Sequence, residues 1–192
     1  MFAYMKTSFF ISDIDIPNSQ MLTSLDYMFY QASSFNRNIC HWDVSNVKNM
    51  RYTFGDASSF NQDIGHWDVS NVTKMEKMFQ NATTFNQPLD NWDVSNVKSM
   101  EQMFQNATTF NQPLDNWDVA NVTNMKKMFY HATAFEQDIS KWKVNKKAKM
   151  CGMLTGTKLD DPETDKCKNF DPTEWENNYT NICILDKEKL CE

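Results

Sequence analysis

Large apolar side chains recur along this chain at a fixed interval of 25 residues. Trp42, Trp67, Trp92, Trp117 and Trp142 form one column; Phe29, Phe54, Phe79, Phe104 and Phe129 form a second; Phe35, Phe60, Phe85, Phe110 and Phe135 form a third. The clearest copies are FNQPLDNWDVSNVKSM from Phe85 and FNQPLDNWDVANVTNM from Phe110, with a degraded one from Phe135. A period of this size predicts stacked coils, each packing on its neighbours, rather than one compact core.

Within one coil, Leu89, Trp92 and Val94 read as inward positions of a short strand, with Asp93 pointing out between them. Ser95 is a good helix N-cap, and Val97, Met100, Met103, Phe104 and Ala107 follow at helical spacing. The predicted coil is therefore strand, helix and turn, and the predicted fold is an α/β solenoid of about six coils. Asn36, Asn61, Asn86 and Asn111 form a further column, suited to bonding backbone groups of their own and the next turn. Glu136 takes that place in the last coil, where Lys143 replaces the outward Asp and Lys147 replaces Val. These departures mark the end of the array.

The repeats are expected over residues 1–156. Residues 1–25 are a degenerate first coil, because Phe10, Ile14, Leu22 and Leu25 keep the register. The last helix is expected to continue to about Gly156. Residues 157–192 are an acidic, cysteine-containing cap or tail, with a helix start at Asp171-Pro172-Thr173-Glu174 and a short strand at Ile182–Leu185. The stretch MFAYMKTSFFISDIDIP lacks the basic start and cleavage site of a signal peptide, so either a leader has been removed or none was present. No apolar run approaches ~18 residues, which argues against membrane insertion.

Charge narrows the partners. The net charge is −6, of which residues 1–150, with 14 basic and 15 acidic side chains, contribute only −1. A near-neutral body argues against nucleic acid. The lysines at 141, 143, 146, 147 and 149 read as a solvated last coil or as an anionic-partner site. Asp43, Asp68, Asp93 and Asp118 form an outward column, beside His41, His66, Asn91 and Asn116. Stacked carboxylates repel, so the column needs local turn capping, a cationic partner or a bound cation. These four Asp and their four neighbours are the candidate partner-binding residues. Lys48, Arg51, Lys74, Lys77, Lys98, Lys126 and Lys127 fall on the predicted helix face.

Cys151, Cys167, Cys183 and Cys191 cluster near the C-terminus, and two disulfides or free thiols both fit; their spacing does not match a zinc signature. Cys40 stands apart. Sequons occur at Asn71, Asn81, Asn106, Asn121 and Asn178, which repetition alone would copy. The 13 methionines follow the core periodicity. His41, His66 and His131 form no nucleophile–base–acid set, so no catalytic residue, metal or cofactor is expected.

The pattern F-N-Q-x-[IL]-x-x-W-D-V-S-N-V-x-x-M-x-x-M-F resembles the repeats of BspA-like leucine-rich-repeat surface proteins, over about Tyr4 to Leu154. That resemblance implies a right-handed leucine-rich-repeat-like solenoid and a role in adhesion or recognition at a cell surface, with no catalytic residues to carry over. Two functions are therefore expected. One is a non-enzymatic module presenting a stacked strand face to a protein or glycan, at the cell surface or secreted. The other is a structural component of a larger assembly such as a viral particle or organelle complex.

Overall fold

A computed structural model describes residues 22–160 and the backbone of residues 179–181. Within these residues the sequence interval is a physical step. Ser24, Asn49, Lys74, Ser99, Asn124 and Lys149 are joined in order by single parallel bridges. From each bridge, every second amide reaches into the next coil. Met75, Lys77, Phe79 and Asn81 donate to the carbonyls of Ser99, Glu101, Met103 and Gln105 at 3.0, 2.9, 2.9 and 2.8 Å. Amides between them close tight turns: Met78 donates to Met75, Gln80 to Lys77 and Ala82 to Phe79, at 3.3, 3.2 and 3.1 Å. The same order repeats from Leu25, Met50, Met100 and Met125.

This corrects the predicted right-handed, leucine-rich-repeat-like α/β solenoid. No α-helix occurs among the described residues, and Leu89–Val94 is not a strand. An α-helix needs consecutive right-handed residues, each amide bonding four residues back. Here Lys77 and Asn81 are left-handed, with φ of 56° and 57°, and so are Gln102 and Asn106, at 55° and 56°. Two turns four residues apart bring Met100, Met103, Phe104 and Ala107 to one side, which imitates the helical stripe. A left-handed residue other than glycine costs roughly 1–2 kcal/mol. Its own amide offsets part of that by bonding the next coil. The expected final helix to Gly156 is likewise absent. Gly152 and Gly156 stand there at φ of 64° and 76°, in register with Lys127 and His131, and meet the same backbone demand without a Cβ.

The apolar columns do form the core. Trp67, Trp92, Trp117 and Trp142 are at most 3% exposed, and Phe54, Phe79, Phe104 and Phe129 are fully buried. Rings stack along the axis, with Phe79–Phe104 at 5.4 Å and Phe104–Phe129 at 5.4 Å. They also stack within a coil: Phe79 lies 4.1 Å from Phe85, and Phe104 lies 4.1 Å from Phe110. Each buried indole has a fixed acceptor. Trp67, Trp92, Trp117 and Trp142 donate Nε1–H to the carbonyls of Ile39, Ile64, Leu89 and Leu114 at 3.2, 3.1, 2.9 and 2.9 Å. Trp42 Nε1 has no acceptor among the described residues, and Ile14, which keeps the same register, lies outside them.

The asparagine column is a ladder. The Oδ1 atoms of Asn36, Asn61 and Asn86 accept the amides of Asn61, Asn86 and Asn111, each at 2.9 Å. Gln62, Gln87, Gln112 and Gln137 donate Nε2–H to the same asparagines of the preceding coil. Glu136 takes the next place: its amide bonds Asn111 Oδ1 at 3.0 Å, and its carboxylate accepts from Asn111 Nδ2 at 3.4 Å and from Lys158 Nζ at 2.9 Å.

The last coil is different. Lys143–Asn145 is a strand, β1, paired antiparallel with Tyr179–Asn181, β2. Ala148 N–H donates to Asn145 O, where Val122 in the coil before donates to Val119. The turn has moved on by one residue, so Ala148 rather than Lys147 packs on the core. A single 3-10 turn, Lys158–Asp160, follows. The expected helix at Asp171 and strand at Ile182–Leu185 lie outside the described residues, as does the expected degenerate coil up to residue 21.

Candidate recognition face

Each coil turns a corner at D-V-[SA]-N, between a buried Trp and a buried Val. Asp43, Asp68, Asp93 and Asp118 are all exposed there. Each Oδ1 accepts the amide two residues on, at 3.0 Å, from Ser45, Ser70, Ser95 and Ala120. These are turns closed by an Asp side chain, so the carboxylate column is held by local structure rather than by a strand. The Ser95 hydroxyl, and after it the Ser95 amide, hold the Asp93 carboxyl below its ordinary value.

Asn71, Asn96 and Asn121 close the corner from the other side. Their Nδ2 groups donate to the carbonyls of Ser45, Ser70 and Ser95 of the preceding coil at 2.8, 2.9 and 2.9 Å. This second asparagine column, Asn46, Asn71, Asn96 and Asn121, is visible in the sequence as an Asn in the same place of four successive coils. His41, His66, Asn91 and Asn116 are exposed two residues before the aspartates. The eight predicted site residues thus lie on one polar corner, repeated coil by coil. In the last coil the corner carries Lys141 and Lys143, and Lys141 Nζ lies 3.5 Å from Asp115 Oδ2.

The other candidates separate. No group of three or more His, Cys, Asp or Glu side chains among the described residues is arranged to hold a metal ion. His131 stacks on Tyr130 at 4.2 Å. The basic residues sit on the turn segment instead of a helix. Arg51 grips Asp26 through Nε and NH2 at 3.1 and 2.6 Å, while Lys77 donates to the Tyr52 hydroxyl at 2.5 Å. The four described sequon asparagines use their carboxamides between coils: Asn81 donates to Asp56 and Asn106 to Asn81, at 2.5 and 2.7 Å, in addition to Asn71 and Asn121. Asn178 lies outside the described residues. Cys40 is a free, exposed thiol, and Cys151 is disulfide-bonded. Cys167, Cys183 and Cys191 lie outside the described residues. No helix among the described residues is long and apolar enough to cross a membrane.

The family described as "Mycoplasma protein of unknown function, DUF285" matches twice, over residues 1–99 and 67–167. The chain belongs to this family. The two overlapping matches cover most of its length, as expected for a tandem repeat, and the family is of the BspA and Mycoplasma repeat type. Neither a curated protein nor a solved structure matches the chain.

Proposed function

We propose that this DUF285 protein is a non-enzymatic recognition module, of the BspA-like surface type, whose corner column binds a protein or glycan. The observation that carries this reading is the exposed run Asp43, Asp68, Asp93 and Asp118, one carboxylate per coil, fixed on a backbone anchored by buried Trp and Val. Side chains fixed in advance lose little entropy on binding. A regularly spaced acidic ridge fits a partner carrying basic groups at a similar spacing.

The test changes Asp68, Asp93 and Asp118 together to Asn. Asparagine can still close the same turns, so the fold is kept while the charge is removed. Binding is measured on an immobilised panel of basic peptides and neutral glycans. The parent protein is expected to bind basic members, and the triple variant to lose roughly tenfold or more in affinity. Equal binding by both proteins would reject this face.

A further inference from the structure

Only one D-V-[SA]-N-type corner among the described coils is opened into a strand, and it is the one without the Asp. In the coils of Asp43, Asp68, Asp93 and Asp118, the side chain takes up the amide two residues on. That amide is then unavailable to a neighbouring strand. In the last coil Lys143 cannot accept a hydrogen bond, and the corresponding residue, Asn145, is paired with Tyr179. The Asp-type turn has moved two residues on, where Asn145 Oδ1 accepts the Lys147 amide at 2.9 Å. Lys143, Val144 and Asn145 are thereby left extended.

We infer that residue 143 decides whether a corner is closed or open to an added strand, and that the last corner is built to hold this chain's own tail. The side-chain-closed turns act as guards along the array. An unguarded edge invites pairing with any extended chain, a hazard that folds manage by design. Among the described coils the opening is used once. The fit of occupant to edge is also electrostatic. Lys141, Lys143, Lys146 and Lys147 are exposed on the last coil, while residues 161–192 carry nine acidic and four basic side chains. In strand addition to an edge, main-chain hydrogen bonds supply the affinity and side chains the selectivity.

Three variants of the full chain separate the turn from the charge. Lys143→Asp restores a closing carboxylate, Lys143→Asn restores a closing carboxamide without charge, and Lys143→Gln removes the charge without closing the turn. Amide hydrogen exchange is followed at Tyr179 and Asn181, whose amides face Asn145 and Lys143 across the antiparallel pair, with Phe79 and Phe104 as reporters of the stack. Exchange at Tyr179 and Asn181 is expected to accelerate roughly tenfold or more in the Asp and Asn variants and to stay near the parent rate in the Gln variant, with the stack reporters unchanged. Equal release by all three variants, release by Asp alone, or release by none would each overturn the inference. Loss of protection at Phe79 and Phe104 would overturn it as well, because residue 143 would then be holding the stack rather than the tail.

Discussion

Trp92→Ala is expected to lower the unfolding free energy by about 3–5 kcal/mol, the range for removing a large buried aromatic side chain. Trp92 is 3% exposed, packs at a tilt 6.4 Å from Phe79, and donates Nε1–H to Ile64 O at 3.1 Å. Truncation therefore leaves a cavity between two coils and a buried carbonyl without its donor. Trp92→Phe keeps much of the volume and loses only the donor, so about 1–3 kcal/mol is expected for the unmet group. Position matters because each coil is supported only by its neighbours. Trp92 lies mid-array, and its loss divides the stack. Urea denaturation of the two variants checks the order. A loss under about 1 kcal/mol for Trp92→Ala would mean that the indole is not the inter-coil anchor.

The second large effect is expected from Asn86→Ala, although the side chain is small and only half buried. Asn86 Oδ1 accepts the Asn111 amide at 2.9 Å and Gln112 Nε2 at 3.1 Å. Removing it leaves a backbone donor at the coil corner without its partner, a cost of about 1–3 kcal/mol for each such group kept from water. The loss of apolar contact is negligible, so any such destabilisation belongs to the ladder. Asn86→Asp keeps the accepting oxygen and is expected to lose much less near neutral pH. Thermal melts of the pair check this. Equal losses would show that the oxygen does not hold the corner.

The sequence made the repeat and its packing legible for a plain reason. A side chain that must be buried in every coil is written into every copy, and the Trp, Phe, Val and Met columns are buried apart from a half-buried Phe35 in the first described coil. The asparagine ladder was legible because the same bond to the next coil recurs in every copy, although its side chains are half-buried, and Asn36 exposed, rather than buried as the column suggests. The backbone path was not. Met100, Met103, Phe104 and Ala107 satisfy a helical period and a pair of linked turns equally well, because both return to one side every three or four residues. Left-handed residues decide between the two, and Lys77, Gln102 and Lys127 are not types that announce them. The legible clue lay elsewhere in the register. Asp56, Asn81 and Asn106 fill one left-handed column with residues that tolerate it, and Gly152 and Gly156 fill both columns of the last coil.

The corner was misread in a related way. Trp92, Asp93 and Val94 alternate in and out as a strand would, but Asp93 closes a turn on the Ser95 amide. Asp and Ser two residues apart form such turns readily, whereas a strand needs a partner edge. Among the described corners, the one that opens into a strand is the one where Lys143 removes that option. Asp43, Asp68, Asp93 and Asp118 therefore line a column of closed turns rather than a strand face.

The most direct test of this architecture is detection of hydrogen bonds through their scalar couplings, by long-range amide-to-carbonyl NMR correlation on labelled, deuterated protein. The account predicts cross-peaks from the amides of Met75, Lys77, Phe79 and Asn81 to the carbonyls of Ser99, Glu101, Met103 and Gln105. It also predicts a link from Gln105 N–H to Gln102 O within the coil. Correlations running instead from Met103 to Ser99 and from Phe104 to Met100, each four residues back, would mean that the segment is helical, and the stacked-turn account would be wrong.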